Sequence, residues 1–365
     1  MKDPIAYSPE LDGADNDRVT MRGLNRAFED IMEKSLESQG HAIRAVHAKN
    51  HGVVVASLTV LDGLAPELAQ GLFATPGEHQ AVLRFSTNPG DVIHDAVSAP
   101  RGMALKIFEV AGERLAGSEG ATTQDFVMAN GPIFGAPDAE AFLKSVKMFN
   151  TFAGQAEWAK KAVSTVLRGV RTGLEKVGVD RPALLANVAA LGGAPQTHPL
   201  GETFYSQTAF RHGAFVGKYC LAPVSRSLTD LTGIPVNTSG RPDALQEDID
   251  AAMRAGSAEW ELRVQLCRDT ASMPVGDPTV PWSEQESPYV AVARITASAQ
   301  SSAAPARVAK VNDQMKFSPW NGVVDHLPLG TLNKARRDTY ARSAQFREEV
   351  NGCPVTEPRT LDLPG

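Results

Sequence analysis

The sequence is short of several things, and each shortage narrows its class. It has three cysteines, Cys220, Cys267 and Cys353, an odd number without metal-ligand spacing. That argues against a disulfide framework and a zinc cluster, and makes a reduced, cytoplasmic setting the default expectation. No stretch approaches the ~20 apolar residues of a membrane-spanning helix. The segment from Met1 to Ser8 offers no apolar core of signal-peptide length. Positive charge is not in excess: the formal net charge is −6, which leaves no basic footprint for nucleic acid. A Cys-x-x-Cys-His motif is missing, which argues against covalent c-type heme attachment. No internal repeat is clear enough to mark a duplication.

What is present is an ordinary globular composition, 42% hydrophobic and 21% charged, over 365 residues. Residues 1–17 are polar and read as a flexible N-terminal arm. Val19 to Leu36 carries Met21, Leu24, Phe28, Ile31 and Met32 at helical spacing. β-branched and alternating stretches then mark strands at 53–60, 81–86, 102–110 and 125–130. Helical patterns follow over 138–149, 157–177 and from Arg181-Pro182 to Leu191. Strands resume at 203–210, 214–222, 259–268 and 289–297, with a helix over 242–254 between them. Short connections predict mostly antiparallel pairing, and eight such strands can close into a barrel without an edge. The expected class is α+β: an eight-stranded antiparallel β-barrel over about 44–298, with inserted and C-terminal helices, in one domain spanning 18–350. Ser298 to Pro305 reads as a linker, Phe317 to Pro328 as extended, and 351–365 as a tail.

The chemistry concentrates in Gly330 to Arg347, a proline-free stretch that predicts a helix. At about 100° per residue, Arg336, Tyr340 and Arg347 fall on one stripe of about 40°. A phenol flanked by two guanidinium groups favours its phenolate form, and a tyrosinate is a hard ligand for ferric iron. Taken alone, the stretch also fits an exposed basic helix.

Four stretches in order resemble the heme catalases. Arg44-Ala-Val-His-Ala-Lys49 resembles their distal-histidine segment. Leu83-Arg-Phe-Ser-Thr87 with Pro100-Arg-Gly102 resembles the next two barrel strands. Phe126 and Phe134 keep the separation of two heme-side phenylalanines. Arg336, Tyr340 and Arg347 resemble the proximal helix. The resemblance, in particular to the small catalase-related peroxidases, implies a catalase-type barrel and heme b. It implies His47 as distal acid/base, with Ser86 hydrogen-bonded to its ring. It implies Tyr340 as iron ligand, with Arg336 holding the phenolate. Arg44, Arg84 and Arg347 would meet the heme propionates, and Phe126 and Phe134 would pack on the porphyrin.

One position departs from that pattern. Where catalases place a distal asparagine, ungapped counting puts Ala121, with Thr122 and Thr123 beside it. The expectation is therefore a peroxidase that reduces hydrogen peroxide or small organic hydroperoxides with a small-molecule electron donor, catalase turnover being weak or absent. A hydroperoxide isomerase or dehydratase resembling allene oxide synthase is an alternative. So is a non-catalytic heme-binding protein. Val46, rather than threonine, precedes the distal histidine, which weighs against the isomerase. A homo-oligomer is compatible with the sequence.

Overall fold

The computed structural model describes residues 1–153, 157–176 and 182–364. Val177, Arg181 and Gly365, at the bounds of expected elements, lie outside the described residues.

The strands are β1 (Asn50–Val60), β2 (Gly77–Thr87), β3 (Arg101–Ile107), β4 (Gln124–Ala129), β5 (Phe204–Tyr205), β6 (Phe210–His212), β7 (Phe215–Pro223), β8 (Ala258–Leu266) and β9 (Val290–Ala297). Every pairing is antiparallel. β1 pairs with both β2 and β9, and β4 connects through β5 to β7, so eight strands close a ring. β6 shares the β7 edge with β5: β5 pairs near Cys220 and Leu221, β6 near Phe215 to Gly217. The two are halves of the strand expected over 203–210. They separate because Gln207 between them takes a positive φ of 63°, which no regular strand accommodates.

Alternation divides each strand between two environments. Leu83 and Phe85 of β2, Met103 and Leu105 of β3, and Phe126 and Met128 of β4 pack inside the barrel with Tyr219, Trp260 and Leu262. The residues between them face outward in register. Ser86, Gly102 and Ala129 form one row, and Arg84, Ala104 and Val127 the next.

The helices are α1 (Arg18–Gln39), α2 (Ala139–Ala153), α3 (Glu157–Lys176), α4 (Pro182–Ala190), α5 (Arg226–Thr229), α6 (Ala244–Ala255), α7 (Pro305–Gln314) and α8 (Thr331–Asn351). Asp17 caps α1, its carboxylate accepting from Val19 N and Thr20 N, and Gly40 ends it at φ 67°. Leu24, Phe28 and Met32 of α1 pack with Leu143 of α2 and Ala335 of α8, which lays these helices together over the outward rows. No helix among the described residues is long and apolar enough to cross a membrane.

Three segments depart from or add to the expectations. Between the expected linker and Phe317, where no element was expected, the chain forms α7, with Pro305 at its first turn and Val311 buried. Residues 1–17 are not loose: Ile5 N donates to Cys267 O, Tyr7 N donates to Ala214 O, and Ile5, Tyr7 and Leu11 pack on an apolar cluster. The tail is also docked. Thr356 N donates to Gln314 O, and Glu357 pairs with Lys106 and Asp125's side of the barrel.

Candidate active site

A cavity lies between the outward rows of β2 to β4 and helices α1, α2 and α8. Of the residues expected from sequence, Arg44, His47, Arg84, Ser86, Phe134, Arg336, Tyr340 and Arg347 all line it. Phe126 does not. It faces the barrel interior, its ring 4.7 Å from that of Tyr219, and its neighbours Val127 and Ala129 reach the cavity instead. The barrel wall here carries Ser86, Gly102, Ala104, Val127 and Ala129, side chains small enough to leave a flat floor. Ala335, Arg336, Thr339, Tyr340, Ser343, Ala344 and Arg347 of α8 form the opposite wall. Two opposed walls of this kind suit a flat ligand.

His47 sits in the loop before β1 with a positive φ of 55°, a conformation histidine tolerates better than most residues. Its backbone is clamped on both sides. His47 N donates to Asn88 O at 2.8 Å, and Arg84 Nη1 donates to His47 O at 2.9 Å. Ala45 N donates to Ser343 Oγ at 3.1 Å, which ties the same loop to α8. The imidazole rests on Gly102, where a β-carbon would fall 2.2 Å from Cε1. Burial first, then the charges of Arg84, Arg336 and Arg44, push its pKa down to about 3, so the ring is neutral. Its Nδ1 is buried without a partner. The expected Ser86–His47 hydrogen bond is not made. Ser86 Oγ instead lies 3.4 Å from Gly102 O, the residue opposite it in the ladder.

Across the cavity, Tyr340 is half-buried on α8. One turn earlier, Arg336 places its guanidinium 5.4 Å from the centre of the Tyr340 ring, with Nη2 3.4 Å from the phenolic oxygen. Its other arm donates to Asn333 Oδ1 at 3.1 Å.

Arg44, Arg84 and Arg347 converge on the end of α7. Asn312 is their hub: its carbonyl accepts from Arg44 at 2.9 Å and from Arg347 at 2.5 Å, and its Oδ1 accepts from Arg84 Nε at 3.1 Å. Val311 O and Met315 O take the rest of Arg44. Every one of these acceptors is neutral. Burial, and for Arg84 the nearby Arg347, pushes Arg84 down to about 9, and burial pushes Arg347 down to about 10. The C-terminal carbonyls of α7 supply only about half a negative charge, against three guanidinium groups. No carboxylate among the described residues pairs with any of the three. Arg347 Nε is also buried without a partner. A buried cluster of this sign calls for an anion.

The residues therefore fit an iron porphyrin: a floor of small side chains, a phenol on α8, a neutral imidazole over Gly102, and three buried arginines that could receive its carboxylates. Sequence reasoning missed Asn312, Gly102, Asn88 and Gln207. Asn88 and Gln207 bring amides to the cavity, and Gln207 Nε2 donates to Gly131 O and Ile133 O. A positive-φ glutamine leaves no signal in a sequence. Ala121, Thr122 and Thr123 are not among the cavity's lining residues; Thr123 points to Glu357 and Asn321.

No family model matches the sequence, and no curated protein is similar to it. Solved structures are similar in fold. A bacterial catalase aligns with a TM-score of 0.60 at 17% identity, over 98% of this chain and 66% of its own. A fungal catalase aligns at 0.56 and 18%, over 87% and 60%. Catalase A from Saccharomyces cerevisiae aligns at 0.55 and 18%, over 87% and 62%. The chain thus spans about two thirds or less of the length of the catalases it matches. Its closed eight-stranded antiparallel barrel, with α8 lying against the outer wall, is the catalase fold.

Proposed function

We propose that this protein is a heme-dependent oxidoreductase that reduces hydrogen peroxide or small organic hydroperoxides to water or an alcohol, taking two electrons from a small organic donor. The observation that carries this reading is the placement of His47 and Tyr340 on opposite walls of one cavity whose arginines lack anions. The likeness to catalases supports it. When bound, heme supplies the redox chemistry of O–O cleavage. Tyr340 is the residue that would hold the iron. Arg44, Arg84 and Arg347 would bind the propionates, for which a guanidinium is well shaped. Neutral His47 takes a proton from one peroxide oxygen and delivers it to the other, the leaving oxygen. Ser86, paired in the ladder with the Gly102 on which the imidazole rests, borders the same wall. Phe134 closes one side, its ring 5.1 Å from that of Phe142.

The test is the visible spectrum of the heme-reconstituted protein beside Tyr340→Phe and His47→Ala. A high-spin ferric spectrum lost in Tyr340→Phe, together with heme retained but peroxide unreactive in His47→Ala, is expected. Substoichiometric heme uptake, or identical spectra for wild type and Tyr340→Phe, would overturn the reading. Consumption of an added donor in step with hydroperoxide separates a peroxidase from a hydroperoxide isomerase, which needs none.

A further inference from the structure

A second concavity, of about 490 Å³, opens between α3, the loop around His94 and residues 235–240. We propose that it binds an anionic small molecule through an oxyanion group, phosphate or carboxylate, held by Arg168.

Among the described residues no carboxylate side chain lines it, although the chain has more acidic residues, 42, than basic ones, 36. The nearest candidate in sequence is turned away: Asp95 Oδ1 takes Lys49 Nζ at 2.7 Å, and its Oδ2 accepts from Leu245 N at 2.8 Å. Among the described residues Arg168 is held by neutral acceptors, Gln196 Oε1 at 3.1 Å and Thr165 Oγ1 at 3.3 Å. Gln196 is itself fixed, since its Nε2 donates to Asp95 O at 2.8 Å. The guanidinium is therefore positioned but not neutralised.

Two other polar groups of the wall, His94 and Asn237, have spent an acceptor and kept a donor. His94 Nδ1 accepts from Ala96 N at 3.0 Å, which in the neutral ring leaves the proton on Nε2. Asn237 Oδ1 accepts from Ser239 N at 3.1 Å, leaving its amide NH₂ free for a ligand. A concave wall offering a guanidinium, an imidazole N–H and an amide NH₂ is matched by a ligand rich in acceptors and negative charge. The volume exceeds that of a bare phosphate ion, and Pro235, Val236 and Ala96 give it an apolar side. A small organic anion fits better than an inorganic one.

Titration calorimetry on the full chain tests this with inorganic phosphate, adenosine monophosphate and citrate as separate probes. At least one organic anion should bind with a Kd below about 1 mM, and Arg168→Gln should weaken it about tenfold or more. Arg226→Gln, an exposed arginine elsewhere, should not. Binding of the nucleotide without citrate identifies phosphate chemistry, and the reverse identifies carboxylate. If Arg168→Gln fails to fold, Asn237→Ala provides the same comparison. No saturable binding by any probe, or equal binding by the wild type and the folded variant, overturns the proposal.

Discussion

The imidazole of His47 lies directly on the α-carbon side of Gly102: a β-carbon there would come within 2.3 Å of Nδ1 and 2.2 Å of Cε1. The ring can occupy that place only because residue 102 has no side chain. Gly102→Ala should therefore keep the fold and heme uptake but push the ring out of position. The rate of reaction with peroxide should fall about 10²-fold, the scale of a misplaced general acid/base. Rapid-mixing absorbance with hydrogen peroxide measures it, and a rate within twofold of wild type (a change of about 0.4 kcal/mol) would remove the contact from the mechanism.

The arginine cluster makes a prediction with opposite signs in two assays. Arg347 is buried and donates a hydrogen bond to Asn312 O, while its Nε has no partner. Arg347→Met should lower heme affinity about tenfold or more by removing a propionate partner. The heme-free protein should be as stable as wild type or slightly more so, because a buried charge offset only by the nearby Asp313 has been removed. A fall in the apoprotein melting temperature of more than about 2 °C, roughly 1.5 kcal/mol for a chain of this length, would contradict this.

Inside the barrel, the hydrogen bonds fix the direction of a relay. His326 Nε2 accepts from Leu72 N, so its Nδ1 donates to Tyr219 Oη at 2.8 Å. His212 Nε2 donates to Leu68 O, so its Nδ1 accepts from Tyr219 at 3.0 Å. Both rings are neutral. Burial pushes His212 down to about 4 and, with His212 and Arg211 nearby, holds His326 well below the usual histidine range. An unfolded histidine takes up its proton near 6.5, whereas these do not until the pH is far lower. The stability they contribute is complete above about pH 6.5 and is lost as the pH falls toward 4, by roughly 3 kcal/mol for His212 alone. Urea titrations at pH 7.5 and 4.5 should show a shallower acid loss in His212→Gln than in wild type. An equal slope in both would place the acid sensitivity elsewhere.

Lys218 gives the reverse test, at alkaline pH. It is buried, its ammonium has no hydrogen-bond partner, and its main contact is the Trp282 ring at 4.6 Å. Burial lowers its pKa from 10.5 to about 8. Stability should therefore rise as the pH increases from about 8 toward 10.5, because the unfolded state then loses the proton it prefers to hold. Lys218→Met should stabilise the protein at pH 7 by about 1–2 kcal/mol, the desolvation relieved less the lost cation–π contact. That gain should shrink above pH 9. A destabilised variant at pH 7 would show that the ring contact outweighs the burial.

Strands and the larger helices were legible because their patterns are local: the β-branched run from Val53 to Val60, the alternation of Glu259 to Leu266, the helical spacing of Leu24, Phe28 and Met32. Tyr340, Arg336 and Arg347 were legible for the same reason, since one helix carries all three. What was not legible depends on parity or on distant partners. Phe126 and Val127 differ by one residue, and in a strand one residue decides between the barrel interior and the cavity. Asn312 looks like any helical asparagine until three arginines from elsewhere reach it. α7 has few buried apolar positions, Val311 chief among them, so its periodicity is weak. Lys106 reads as a surface residue on β3, yet it is fully buried because Glu357 and Asp125 enclose it.

That last arrangement bears on the order in which the molecule is built. Lys106 and Asp125 lie near one another in the chain, whereas the second acid on Lys106, Glu357, comes 251 residues after it. Likewise, the loop bearing His47 meets Ser343, and Arg84 meets Asn312. During synthesis the early strands can pair with one another as they emerge, but their outer face has no cover and Lys106 lacks one of its acids. The cavity acquires its second wall only when α8 and the tail have left the ribosome. Contacts of such long sequence separation form late and slowly. The cavity is thus completed after the barrel strands that form its floor, and a chain cut before α8 would present an open barrel face in its place.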